Sequence, residues 1–421
     1  MSAYLNALGL ICALGHDKQT VADALFAGDA SGMQLQDGWV TGRSLTVGAV
    51  TAELPAMPAG FEFERSRNNQ LLLAAALQIE ASIRAAIARY GASRVGLVLG
   101  TSTSGIDEAS QSIARFVNEG ALPDHYHYAQ QEMVAPARFL SAWLGLCGPH
   151  YSISTACTSS ARALLSAKRL LEQGFCDAVI CGGVDSLCRL TLNGFSALEA
   201  VAAERCNPFS ANRNGINIGE GAALFLMTSE PSTEPASRSA APIALLGGGA
   251  SSDAHHISAP HPEGLGAQQA MAKALAAAGL QASDIDYLNL HGTATRHNDA
   301  MESLAVQALF PAGVPCSSSK PLTGHTLGAA GALEAAFCWL SLSPYNPNNL
   351  LPPHLWDGEA DPELPPLQLL QPGARMARSQ GRRLMSNSFA FGGSNISLIL
   401  GDLILGKELA EEMDEETGDA A

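Results

Sequence analysis

The chain has 421 residues, 47% of them hydrophobic, with 41 glycines and a formal net charge of −16. That length exceeds one ordinary domain and can bury a large core, so two domains or a duplicated unit are expected. The acidic balance, with no segment that clusters Lys and Arg, excludes a phosphate-binding nucleic-acid surface.

The first residues, "MSAYLNALGLICALGHD", have neither the basic n-region nor the small-residue cleavage site of a signal peptide. No later apolar run is long and charge-free enough to span a bilayer, so a cytoplasmic protein without a membrane span is expected. The stretch "NQLLLAAALQIEASIRAAIARYG" has a helical pattern. After it, "SRVGLVLGTSTSG" (93–105) and "DAVICGGVDS" (177–186) are apolar runs that end in small turn residues, which predicts buried parallel strands feeding loops. Residues 229–242, "SEPSTEPASRSAAP", lack any apolar period and read as a linker. Beyond it the alternation restarts with "APIALLGGGASSDAHH", "GAQQAMAKALAAAGL", "IDYLNLHGTAT", "VPCSSSK" and "TLGAAGALEAAFCWLSLS". The reading is therefore two α/β halves, 1–240 and 241–406, followed by an acidic disordered tail at 407–421.

Nine cysteines without CxxC pairs or Cys/His ligand spacing point to neither a disulfide framework nor a structural metal. Most of them, Cys176, Cys181, Cys188 and Cys338 included, are expected to pack as small hydrophobes. Cys157 differs. In "SISTACTSSARALLSAKRLLEQG" (152–174) it stands among small hydroxyl residues at the mouth of a helix, where unpaired N–H groups and the macrodipole favour a thiolate. Locally, a buried inert cysteine and a nucleophile are equally good readings. Two distant motifs decide between them. "NLHGTATRHND" puts His291 at a strand end, and "SSSKPLTGHTLGAAGALEAA" puts Lys320 and His325 ahead of a helix that carries Glu334. The lone histidines His125, His127, His255 and His297 are expected to be structural or solvated.

With these motifs in place the chain resembles the elongating β-ketoacyl-acyl carrier protein synthases, the condensing enzymes of fatty acid and polyketide synthesis. The likeness runs from "ALGLICALG" to "SNSFAFGGSNISLIL", with "TACTSS", "GGVDSL", "GINIGEGAALFLM", "HGTAT", "SSSKPLTGHTLGAAGALE" and "NSFAFGGSN" in the family's order. It implies the thiolase fold, two similar halves in a five-layer αβαβα sandwich. It also implies that Cys157 takes the acyl chain and that His291 and His325 stabilise the enolate left when malonyl carrier loses carbon dioxide. Two imidazole donors aimed at that oxygen stabilise it without delivering a proton to the carbanion.

By the same resemblance Lys320 holds the histidine network together with Glu334, and Asp299 supports the site from behind. Thr293 and Thr295 bind the phosphopantetheine arm, although a threonine in a turn is also an ordinary cap. Phe391 guards the acyl channel, its backbone N–H joining that of Cys157 as an oxyanion hole. No metal and no resident cofactor is implied beyond the arm of the acyl carrier protein, which is the expected partner. A dimer is expected, of two copies or with a related subunit. Ser319 stands where the family has Thr. Ala390 stands where the family has Gly before the gating phenylalanine, which is expected to stiffen the gate. The segment "CRLTLNGFSALEAVAAERCNPFSANRNGINIGEG" is nearer to specialised synthases such as those of aryl polyene pathways. A thiolase would need a second cysteine where this chain has "FAFGGSN", and an initiating synthase would need Asn in place of His325. A silent chain-length-factor-type partner subunit, the non-enzyme alternative, would be expected to lack Cys157.

Overall fold

The computed structural model describes residues 3–232 and 241–403. The tail expected at 407–421 and most of the expected linker lie outside the described residues. In the first half the apolar runs become β1 (Ala3–Cys12), β2 (Val95–Gly100), β3 (His150–Ile153), β4 (Ala178–Asp185) and β5 (Gly221–Thr228). Their order across the sheet is β3-β2-β4-β5-β1. The second half supplies β6 (Ile243–Ser252), β7 (Tyr287–Asn289), β8 (Pro315–Ser317), β9 (Arg383–Phe389) and β10 (Ser394–Asp402), in the order β8-β7-β9-β10-β6. Counted within each half both orders are 3-2-4-5-1, which is the duplication written in the sequence.

The expected parallel strands are present, and one strand per half departs from them. β5 runs antiparallel to β4 and β1, and β10 runs antiparallel to β9 and β6. The cause is in the connections: residues 186–220 and the turn 390–393 each leave and re-enter at the same end of the sheet, so no crossover is made. β1 and β6 meet edge to edge through Ala3/Leu245 and Tyr4/Ala244, which makes the hydrogen bonding continuous across both halves.

Both faces of the strands are buried, and alternate residues face different helical layers. Leu97, Leu99, Ile180 and Leu224 face outward, onto α1 (Arg67–Leu77) and α2 (Ala135–Leu144). Val98, Val179, Cys181 and Phe225 face inward, onto α3 (Ser159–Glu172). In the second half Met385 and Ile399 pack with α4 (Leu265–Ala278) and α5 (Arg296–Leu309), while Leu384, Leu398 and Leu400 share the central core with α6 (Ala330–Leu342). The layers are thus helix, sheet, paired central helices, sheet, helix. The central pair can touch because Gly331 has no side chain: a Cβ there would lie 2.6 Å from the Cβ of Ala161 on α3. Gly100 similarly ends β2 where a Cβ would lie 2.2 Å from Ser160 N, so the strand end and the first turn of α3 share one space.

The helical pattern over 69–91 forms two helices, Arg67–Leu77 and Glu80–Tyr90, bent by 74°. Gln78 explains the break. Its side chain pairs with both backbone groups of Leu10 and reaches His16 O, so the chain turns there to satisfy β1. No single helix among the described residues is long and apolar enough to cross a membrane.

Candidate active site

The hydroxyl residues around Cys157 build its turn. Ala156 has φ 52°, a left-handed conformation that is costly for alanine. Local side chains hold it: Ser159 Oγ accepts from Thr155 N at 2.9 Å and donates to Ala156 O at 2.6 Å. Thr158 Oγ1 donates to Thr155 O at 2.7 Å. The turn places the Cys157 sulfur just ahead of α3.

The second half brings its histidines to the same point. His325 Nε2 is 2.9 Å from Cys157 Sγ, and the His291 and His325 rings meet edge to face at 5.3 Å. One ligand-type atom from each of Cys157, His291 and His325 falls within 4.8 Å of the others, and all three residues are buried. The sequence expectation of no metal here stands as an expectation.

Behind the histidines, Lys320 is 2% exposed. Its Nζ is 2.6 Å from Glu334 Oε1 and 3.3 Å from His291 Nδ1, and it also donates to His291 O. Three ammonium donors therefore meet three acceptors. Burial pushes Glu334 up, and the charge of Lys320 works against that rise.

The thiolate expected from the helix dipole is corrected. Burial pushes the Cys157 thiol up to about 12, although Lys320 and the N–H groups of Cys157 and Phe391 pull the other way. Desolvation outweighs the helix mouth. Burial also pushes both histidines well below 6.5, helped by the charge of Lys320. The resting pair is a thiol beside a neutral imidazole. Alkylation of Cys157 by iodoacetamide, followed on its own peptide by mass, therefore climbs about tenfold per pH unit from about pH 6.5 to 9 without a plateau, where a free thiol levels off above about 8.5. A rate independent of pH over that range would show a resident thiolate.

Two carboxylates on α5 complete the frame. Asp299, expected from sequence, accepts from Phe209 N at 2.8 Å, and burial raises it to about 6. Glu302 was not expected, yet it is nearer the chemistry: its two oxygens accept from His291 N at 2.8 Å and Gly292 N at 2.7 Å. Its signal in the sequence is a second acid three residues after Asp299, on a helix face that also carries Met301, Ala305 and Val306. Asp185, in "GGVDSL", was likewise missed. It takes Thr101 Oγ1, Ser102 N and Thr103 N from the first half and Gly328 N from the second, which ties the His325 loop to β4.

A cavity of about 470 Å³ opens above the sulfur, lined by Cys157, His291, His325 and Phe391 among others. Thr293 and Thr295 lie on its wall, their hydroxyls 2.9 Å apart, and Thr295 also caps α5 by accepting from Asn298 N. The cap is thus realised, and the hydroxyl pair still faces the cavity. Phe391 stands at the rim, 5.7 Å from Phe195. The positive φ values of its turn belong to Gly392 (84°) and Gly393 (77°), not to Ala390. Freedom in the gate therefore sits two residues beyond the position where stiffening was expected. Ala390→Gly leaves the preference between short and long acyl carriers unchanged and costs about 0.4–1 kcal/mol of stability. A broadened acyl range in competition assays would restore the stiff-gate idea.

Comparison with known proteins agrees with this geometry. The family described as Beta-ketoacyl synthase, N-terminal domain matches residues 55–232, and Beta-ketoacyl synthase, C-terminal domain matches residues 243–355. Nodulation protein E of Rhizobium meliloti (strain 1021) is 31% identical over 94% of this chain and 97% of its own length. The 3-oxoacyl-[acyl-carrier-protein] synthase 2 of the same organism is 39% identical over 61% of each. Among solved structures, a chain of the ketosynthase ApeO in complex with its chain length factor ApeC, from Xenorhabdus doucetiae, is 47% identical with a TM-score of 0.88, covering 96% of this chain and 98% of that one.

Proposed function

The chain belongs to the β-ketoacyl synthase family of condensing enzymes, and from that premise we propose that Cys157, His291 and His325 carry a decarboxylative Claisen condensation on carrier-bound substrates. The observation that carries this reading is the meeting of one thiol and two neutral imidazoles from different halves at the floor of one cavity. In acyl transfer, His325 Nε2 takes the Cys157 proton as the sulfur attacks the acyl thioester of the carrier. The N–H groups of Cys157 and Phe391 receive the developing oxyanion. The carrier thiol leaves with the proton.

In the second half-reaction the malonyl thioester loses carbon dioxide and its oxygen becomes an enolate. Lys320, by donating to His291 Nδ1, leaves the ring proton on Nε2, so His291 faces the cavity as a donor. His325 is the second donor as its other tautomer, with the ring proton moved from Nδ1, which has no hydrogen-bond partner to hold it, to the Nε2 that served as base in acyl transfer. Because both rings are neutral, neither supplies the proton that would quench the carbanion. The carbanion then attacks the acyl–Cys157 carbonyl, a C–C bond forms, the C–S bond breaks, and the sulfur leaves as a thiolate that takes from solvent the one proton the overall reaction consumes. Glu334 offsets the buried charge of Lys320, Glu302 and Asp299 fix the His291 loop, and Thr293 and Thr295 take the amides of the phosphopantetheine arm. The chain itself needs no resident cofactor in this scheme.

The partner in this reading is a related chain-length-factor-like subunit in a specialised pathway of the aryl polyene type, with an acyl carrier protein bringing the substrates. The 47% likeness to a chain of a ketosynthase–chain length factor complex supports the pairing. So does the edge strand β3, which pairs only with β2 among the described strands, and so do Ile113, Phe116 and Val117, which the helix Ile106–Glu119 exposes. The alternative, that this chain is itself the silent subunit, is disfavoured by an intact Cys157 set 2.9 Å from His325. The test is product mass: the protein, alone and co-expressed with its related subunit, converts acyl and malonyl carriers to a β-ketoacyl carrier with release of carbon dioxide. No product in either form would overturn the reading.

A further inference from the structure

The helix that carries the nucleophile also carries a cation that no role above uses. Arg162 lies in the first turn of α3, the end at which the helix dipole disfavours positive charge. It is half-buried, no carboxylate pairs with it among the described residues, and burial together with Arg169 holds its guanidinium below its ordinary range. A charge placed at a cost to helix and solvation calls for a compensating interaction.

That interaction is with one oxygen. Arg162 Nε and Nη2 donate to Ser394 Oγ at 3.1 and 2.8 Å, and Nη2 reaches Ser251 O at 3.4 Å. Thr158, the residue after the nucleophile, has its own proton on Thr155 O, so the same Ser394 Oγ, 3.0 Å away, donates to Thr158 Oγ1. Ser394 begins β10, and its carbonyl accepts from Ala390 N at 2.8 Å, which closes the turn carrying Phe391. The other side of that turn is held by the loop after β6: Gly392 N donates to Ile257 O and Asp253 N to Gly393 O, each at 2.8 Å. Those bonds fix the turn to the second half. The bonds that Ser394 Oγ makes with Arg162 and Thr158 tie it to the helix that holds Cys157, and those from a guanidinium are about twice as strong as neutral ones.

We propose that Arg162 is a positioning residue for acyl transfer: through Ser394 it keeps the 390–393 turn in register with α3, so that Phe391 N–H stays aimed at the thioester oxygen above Cys157. The proposal rests on the reading of Phe391 N–H as an oxyanion donor. It separates the two half-reactions, because the enolate donors of the second are histidines that Arg162 does not touch.

The experiment measures, in the same preparations, single-turnover acylation of Cys157 by an acyl carrier and carbon dioxide release from malonyl carrier. Arg162→Met is expected to slow acylation about tenfold at saturating carrier, a fraction of the hundredfold that 1 Å of misplacement can cost. The carrier concentration for half-saturation and the decarboxylation rate stay within about twofold. Ser394→Ala gives the same defect, the double variant is no slower than the slower single one, and Arg162→Lys recovers part of the rate. If Arg162→Met does not fold, Ser394→Ala and Arg162→Lys carry the test. Acylation within twofold of wild type in these variants, or acylation and decarboxylation falling in parallel, overturns the proposal. Phe391→Pro, which deletes the N–H itself, tests the underlying reading: unimpaired acylation in that variant removes the oxyanion donor whatever Arg162 does.

Discussion

Cys157→Ala abolishes condensation and leaves malonyl decarboxylation measurable. The sulfur is the one protein atom in the scheme that must bond to the acyl carbon, and no neighbour can replace it: His325 Nε2, 2.9 Å away, is a proton acceptor on a neutral ring rather than a resting nucleophile for transfer to a second carrier. The decarboxylation apparatus sits wholly in the second half. His291 follows β7 and is held by Lys320, which pairs with Glu334, while His325 precedes α6; neither Lys320 nor Glu334 bonds to Cys157. Removing one buried sulfur costs about 1 kcal/mol, too little to unfold a chain of this size. The measurement is paired: β-ketoacyl carrier by mass and carbon dioxide by release of labelled substrate carbon. Product from the Ala variant would show that another group carries the chain, and loss of both activities together would show that the sulfur is needed for the enolate step as well.

What the sequence made legible, and what it did not, divides along the range of the forces involved. Cys157, His291, Lys320, His325 and Glu334 each sit in a motif where a strand ends or a helix begins, and local rules of chain geometry place them at the same rim of the sheets. The protonation state of Cys157 was not legible. The dipole of α3 can be read from "CTSSARALL", but the opposing desolvation comes from burial in a site assembled from segments that lie far apart in the chain. Glu302 was hidden for the same reason. Nothing beside it in "DAMESLAV" reveals that two backbone N–H groups of a loop eleven and ten residues earlier point at its oxygens. The break at Gln78 follows a partner on β1, 68 residues away. Arg162 reads locally as one more helix-surface cation, and only the return of β10 to α3 gives it Ser394.

The two histidines differ in one contact, and that contact makes their variants distinguishable. His291→Ala lowers carbon dioxide release by two to three orders of magnitude, about what removal of one preorganised oxyanion donor costs. It leaves acylation of Cys157 nearly intact, because His291 touches Lys320 and the cavity while His325 is the residue 2.9 Å from the sulfur. His325→Ala lowers carbon dioxide release by a similar factor and slows acylation too, since a thiol pushed up to about 12 then has no base to take its proton. Raising the pH rescues the acylation of His325→Ala and not its decarboxylation, because hydroxide can deprotonate the sulfur but cannot donate to an enolate. Stopped-flow acylation and carbon dioxide release across pH 6.5–9.5 separate these outcomes. Unchanged carbon dioxide release in both variants would remove the enolate role, and equal acylation rates in the two would remove His325 as the base that activates Cys157.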